Sequence, residues 1–324
     1  AFAVSMAPTI LTQLFGRWSG AGRAVALMAP LLPVLGDSIP FAPILQLAAL
    51  WPGLGLGAIS LALVAVASAT HVRRTSAVGR AAFGALVGAA FSAIVCQVAS
   101  SVEAPRAMPA ASVAVSAGPI VERSKPDNQY ALIADLEDAL QDNRLVVSAE
   151  AGLGVVQPGI AIRLDRLARG MREKQVALIG AVSIDDGSGS AFNGAVVVSG
   201  DTHTVTFIPA RVSMPVPASG VPLATGLVGV PPQSTPKPKY GNVALMFCLE
   251  EILGASVWEI QGRGAIVVLA NHWWDNWGAI TRLQMRYGSL WSRVFGLAMV
   301  RADSTPTPPS RRLAGGAHSY GSAP

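Results

Sequence analysis

Charge is scarce in this chain. Only 13% of its 324 residues are Asp, Glu, Lys or Arg, while 51% are hydrophobic, and mean hydropathy is +0.46. Soluble domains carry about a quarter charged residues, so the shortage points to a membrane portion. Acids are rarest at the start: Asp37 stands alone among Arg17, Arg23, Arg73, Arg74 and Arg80 in the first hundred residues. The whole chain has 24 basic and 19 acidic residues, which leaves 19 and 18 beyond that point. The pI near 9.6 therefore reflects the N-terminal third and not a basic domain. A basic stripe with interleaved aromatics is lacking, so no nucleic acid is expected as a partner. There are two cysteines, Cys96 and Cys248, too few for a disulfide framework. Zinc-ligand spacing is absent as well. Neither a metal nor an organic cofactor is expected.

What is present falls into two parts. Ile59 to Thr70 is an unbroken run of apolar or small residues, and Leu45 to Gly57 is nearly so. Together they reach the roughly 20 residues a bilayer crossing takes. Ala81 to Ala99 is a second candidate span, rich in the small residues that let membrane helices pack closely. Phe2–Phe15 and Ala24–Leu35 are shorter and broken by Pro8, Pro30 and Pro33. His71–Arg74 and Arg80 form a basic loop between the stronger candidates, and such loops stay cytoplasmic. The Ala81–Ala99 span would then deliver the rest to the periplasm of a bacterium. The expected layout is a transmembrane helical region at 1–100, a linker at 101–128, one domain at 129–303 and a disordered tail at 304–324.

Within 129–303 the pattern alternates. Leu132, Leu136 and Leu140 recur every four residues, which predicts a helix over Ala131–Gln141. Arg144–Ala149 and Val176–Ile184 read as strands, with a charged helix over Ile162–Lys174 between them. Ala195–Ser199 and Thr204–Ile208 suggest a hairpin, and residues 215–239 a long Pro- and Gly-rich loop. Gly288–Leu297 reads as a helix. Strands alternating with helices make this an α/β domain.

Three buried strands end in polar residues. Val146 to Ala149 is followed by Glu150, Val243 to Phe247 by Cys248, and Ile266 to Ala270 by Asn271. A thiol and a carboxylate closing separate strands suit a nucleophile and its base. A Cys–His pairing of Cys248 with His272 or His203 lacks the sequence context of a thiol protease. Glu250 and Glu251 divide between a contact inside the site and a cap on the next helix.

This order of motifs resembles the carbon–nitrogen hydrolase, or nitrilase, superfamily. With the N-terminal hydrophobic region attached, it looks most like the apolipoprotein N-acyltransferase branch. The segments Arg211–Pro217 (Arg-Val-Ser-Met-Pro-Val-Pro), Ala270–Trp274 (Ala-Asn-His-Trp-Trp) and Leu290–Phe295 (Leu-Trp-Ser-Arg-Val-Phe) are similar to the conjugal-transfer protein TraB group of that branch. The resemblance covers residues 130–302. It implies an α-β-β-α sandwich behind a membrane bundle and a Glu–Lys–Cys triad. Carried over by position, Glu150 is the general base and Cys248 the nucleophile. Arg211 stands where the family has Lys, since no lysine occurs between Lys174 and Lys237. Arg offers charge and a fork of donors but effectively no proton. Ala218 and Ser219 occupy the vicinity of a further family Glu, and His272 stands where many relatives have Asp. Glu250, Asn271 and Trp273 are the expected substrate contacts.

The function these residues imply is a bacterial inner-membrane protein, multi-pass, with a periplasmic domain. It would form a thioester at Cys248 and pass the acyl group to an amine or water, in a setting of plasmid conjugation. A membrane lipid or another acyl donor is the partner these residues allow, and the sequence leaves the donor and the acceptor open. One rival is a degenerate, membrane-bound scaffolding or binding protein, favoured by Arg211. Another is a small-molecule amidase or nitrilase. The sequence leaves the oligomeric state open.

Overall fold

Two sheets form where the sequence alternates apolar strands with helices. The structure is a computed structural model that describes residues 44–71, 110–115, 120–184, 191–210, 243–272, 275 and 278–304. In chain order the elements are helices α1 (Ile44–Ala48) and α2 (Leu56–His71), strand β1 (Ala110–Val113), α3 (Ile120–Arg123), α4 (Pro126–Asp142), β2 (Leu145–Ser148) and α5 (Pro158–Gly170). Then come β3 (Val176–Ile184), β4 (Ala191–Ser199), β5 (Thr204–Pro209), β6 (Val243–Phe247), a 3₁₀ turn at Cys248–Ile252, α6 (Val257–Ile260), β7 (Ala265–Ala270), α7 (Ala279–Phe295) and β8 (Ala298–Asp303). One sheet has the order β1-β2-β3-β4-β5, the other β6-β7-β8. β1, β2 and β3 run parallel and β3, β4 and β5 antiparallel; β6, β7 and β8 are all parallel.

The two-residue alternation of strands sorts side chains into layers. Leu145, Val147, Leu178, Val197 and Ile208 of the first sheet meet Leu245, Phe247, Val267, Leu269 and Ala302 of the second. The opposite face of the first sheet, with Val146, Ala177, Ile179, Val196 and Val198, packs on Leu132, Leu136 and Leu140 of α4 and Ile160, Leu164 and Leu167 of α5. The outer face of the second sheet, with Met246, Ile266 and Val268, packs on Tyr287, Trp291, Val294 and Phe295 of α7. Helix, sheet, sheet, helix is therefore the layering of a mixed α/β fold. β2 is buried along its whole length, as a parallel strand covered on both faces should be.

Trp291 anchors the outer layer. Its ring is fully buried and its Nε1 donates to the Glu251 carbonyl at 2.8 Å. Trp291→Ala leaves a large cavity and an unpaired carbonyl, so it should cost roughly 3–5 kcal/mol. A fall of that size in the unfolding free energy extrapolated from urea, with β-sheet circular dichroism retained below the transition, is the expected result.

Several sequence expectations need correction. The runs Leu45–Gly57 and Ile59–Thr70 do not join into one span. Pro52 removes an N–H, and Gly53 and Gly55 take φ of +80° and +51°, which ends α1 and starts α2 afresh. Among the described residues no helix is long and apolar enough to cross a membrane. Instead Ile44, Leu45, Ala58, Ile59, Ala62 and Leu63 join the core of α7 and the second sheet. The Gly53 and Gly55 amides donate to the carbonyls of Arg293 and Val294 at 2.9 and 2.7 Å, satisfying the C-terminal end of α7. The stretch 101–128 is not only linker: it contains β1, α3 and the start of α4. Its Ala and Ser residues hid a short edge strand. The charged helix starts at Pro158 rather than Ile162, because Pro favours the first helical turn. The last helix begins nine residues before Gly288, at Ala279. The candidate spans at Phe2–Phe15, Ala24–Leu35 and Ala81–Ala99, the 215–239 loop and the tail beyond Ser304 lie outside the described residues.

Candidate active site

The carboxyl ends of β2, β6, β7 and β8 converge, and each delivers a polar residue: Glu150, Cys248, His272 and Asp303. Ligand sites of parallel α/β sheets collect at such ends. Glu150 follows β2 in a turn pressed against β3. A Cβ at Gly180 would sit 2.1 Å from the Ala149 carbonyl oxygen and 2.6 Å from the Glu150 Cα. Only glycine lets the turn lie that close. The Gly180 amide also donates to Ser148 Oγ at 3.1 Å. The next residue, Ala151, has φ of +52°, a strained value of the kind found around functional sites.

The Glu150 carboxylate is buried. Asn193 Nδ2, from β4, donates to its Oε1, while Oε2 has no hydrogen-bond partner among the described residues. Burial pushes the carboxyl up to about 7, and Glu250 adds to this; Asn193, His272 and the Cys248 thiol pull the other way. Arg123 ties the two sheets together across the site. Its Nη1 donates to the Glu150 carbonyl at 3.2 Å and its Nη2 to Asn271 Oδ1 at 3.3 Å. Burial lowers this guanidinium to about 10 against the pull of Glu150, so it is still charged at neutral pH. Ser304 Oγ donates to the same Asn271 oxygen at 2.5 Å.

Cys248 opens the 3₁₀ turn after β6 and is fully buried. Burial and then the Glu150 charge push its thiol well above its usual value; the Asn271 backbone N–H and Gln284 oppose them. Gln284, from α7, donates through Nε2 to the Cys248 carbonyl at 2.8 Å and to Sγ at 3.3 Å. The His272 Nε2 lies 3.7 Å from Sγ. On its other side His272 Nδ1 is 2.9 Å from both Asp303 oxygens.

The two acids after Cys248 take different partners. Glu250 Oε2 accepts the Phe247 amide at 3.2 Å and closes the turn. Glu251 pairs with Arg301, one contact being 2.5 Å. Gly288 makes room for this pair, since a Cβ there would lie 2.2 Å from Glu251 Oε1. Burial pushes Glu251 up to about 7 against the pull of Arg301.

Of the residues expected from sequence, Glu150, Cys248, Glu250 and Asn271 come together. Arg211 and Trp273 lie outside the described residues. Sequence reasoning misses Arg123, Asn193, Gln284 and Asp303, and discounts His272. Among the described residues no cluster of His, Cys, Asp or Glu could hold a metal ion.

No protein-family model matches the chain, and no curated protein does either. Among solved structures, the neighbours include members of the nitrilase superfamily. A variant of a nitrilase-superfamily amidase from Nesterenkonia AN1 is 16% identical, with a TM-score of 0.43 over 62% of this chain and 79% of that one. Saccharomyces cerevisiae Nit3, a member of branch 10 of the superfamily, is 13% identical, with a TM-score of 0.40 over 61% and 75%. A glutamine-dependent NAD+ synthetase from Acinetobacter baumannii is 14% identical, with a TM-score of 0.35 over 61% and 38%.

Proposed function

We propose that this chain is a carbon–nitrogen hydrolase or N-acyltransferase of the nitrilase type, working through a thioester at Cys248. The observation that supports this most is the unpartnered Oε2 of Glu150, a buried acceptor whose carboxyl interacts with the thiol of Cys248. The Sγ proton passes to Glu150, the thiolate attacks an acyl carbonyl, and a C–S bond forms as the amine or alcohol departs with that proton. An incoming amine or water then reverses these steps. Arg211 takes the basic position of the motif and supplies charge to the oxyanion without supplying a proton. The motif resemblance is what assigns substrate contacts to Asn271, Glu250 and Trp273.

The test is intact-mass spectrometry of the full chain in detergent after incubation with phospholipid, activated ester or amide donors. An added acyl mass at Cys248 is the expected outcome. No adduct with any donor overturns the reading in favour of a membrane-bound scaffolding protein. One observation favours that second reading: the thiol is fully enclosed, and buried thiols with raised pKa values are usually inert.

The charge pattern of the first hundred residues supports anchoring in a bacterial inner membrane with the domain in the periplasm. The association with conjugal transfer rests on the motif resemblance. Reporters fused beyond residue 304 read the side. Alkaline phosphatase active there and green fluorescence absent is the expected result; the converse places the domain in the cytoplasm.

A further inference from the structure

Sequence context argues against His272 as a partner for Cys248, yet it is the residue whose surroundings constrain it most. The ring is fully buried. Its Nδ1 faces the Asp303 carboxylate, 2.9 Å from each oxygen. Its Nε2 faces Gln284 Oε1 and, at 3.7 Å, the Cys248 Sγ. Which end of the Gln284 amide points at the ring is fixed by a third contact. The Cys248 carbonyl can only accept, so the Gln284 atom 2.8 Å from it is the NH₂, and the oxygen is left facing the histidine. Both ring nitrogens therefore face acceptors, and both must carry protons.

We infer that His272 is a further catalytic residue, held as an imidazolium by Asp303 and Gln284 and serving as the fixed positive charge beside the Cys248 sulfur. Asp303 is the positioning residue, and Arg301, 3.5 Å from it, keeps that carboxylate ionised. The groups that act on the ring are Asp303, Arg301, Glu150, Glu251 and Asp275, with Cys248 and Gln284 in contact. The acids outnumber the single arginine. Burial works against the charged ring, but Asp303 and Gln284 outweigh it and raise His272 above its ordinary value; His272 and Arg301 in turn hold Asp303 below its own.

The inference rests on the thioester reading for its chemistry and adds no proton transfer to it. The Sγ proton goes to Glu150. The resulting thiolate lies beside an N–H of the charged ring and 3.3 Å from the Gln284 NH₂. The ring keeps both protons throughout. A positive charge at such range favours the thiolate and so opposes what burial and Glu150 impose on it.

Two measurements test this on the full chain in detergent. The first is proton–nitrogen NMR of the four histidines, with His272 assigned by its loss in His272→Gln. A doubly protonated ring at pH 7 is expected; a singly protonated neutral ring at that pH overturns the inference. The second is the rate of iodoacetamide addition at the Cys248 peptide between pH 6 and 10. His272→Gln should slow it roughly 10- to 1,000-fold at fixed pH and move the profile to higher pH, and Asp303→Asn should move it the same way. Unchanged profiles in both folded variants overturn the catalytic role. If the ring is doubly protonated and the variants slow alkylation, yet no acyl donor ever modifies Cys248, the thioester reading fails and the charge assignment stands.

Discussion

Cys248→Ala should abolish acyl-adduct formation and turnover together, while leaving the protein folded. Removing one buried sulfur costs little packing, because the side chain becomes only slightly smaller. The sulfur's own weak hydrogen bonds, to both ends of the Gln284 amide and to the His272 ring, disappear with it; the stronger Gln284 bond to the backbone carbonyl survives. Among the described residues Cys248 is the free cysteine, so no second thiol there can take over. Groups that act as a unit fail together, so what remains is background catalysis from binding alone. Intact mass after donor incubation reads the adduct directly. An adduct of wild-type yield in the alanine variant would end the thioester mechanism, whatever the turnover.

Glu150→Gln is the second large effect, and it carries a signature of its own. Gln has the shape of Glu and its oxygen can still accept from Asn193, so the turn beside Gly180 should persist. What disappears is the proton acceptor. A general base contributes roughly 100- to 10,000-fold, and a loss of that order in the acylation rate is expected by rapid quench. In the wild type the rate should rise with pH through about 7, where burial has moved this carboxyl, and fall about tenfold per unit below it. Stability moves the other way. A carboxyl raised above its unfolded value favours the folded state fully below that unfolded value, and the contribution fades as pH rises through about 7. The Gln variant escapes this, so its melting temperature should exceed that of the wild type at pH 8 and match it near pH 4. A variant slower yet more stable at alkaline pH marks Glu150 as held for function. Equal melting temperatures at both pH values would sink that argument.

The strands and their polar ends were legible because each rule acts locally. Val176–Ile184 is an apolar run of strand length, and the structure returns the same bounds. Glu150, Cys248 and Asn271 each follow such a run directly. What stayed hidden depends on distance in the chain. Arg123 reaches Glu150 across 27 residues and Asn271 across 148, and Asn193 reaches Glu150 across 43. Gln284 reaches Cys248 across 36 and Asp303 reaches His272 across 31. No periodicity reports such pairings, because they arise from how the two sheets stack. β1 escaped notice for a different reason: four residues of Ala, Ser and Val in a Pro-rich stretch carry almost no strand signal. The hydrophobic stretch at residues 44–63 misled because a helix pair buried in a core and a membrane span share a composition; Pro52, Gly53 and Gly55 held the distinction.

The thiol and its base hang from different sheets, Cys248 from β6 and Glu150 from β2. Their spacing is thus set by the side chains stacked between: Val147, Leu178 and Val197 below, Phe247, Leu269 and Ala302 above. That layer works as a gauge block. Adding or removing a methylene there alters the reactive gap while every reacting group stays the same, and an error of about 1 Å can cost 100-fold in rate. Differences in speed between related chains with identical site residues would then be written in this aliphatic layer, where a search confined to polar residues would not look.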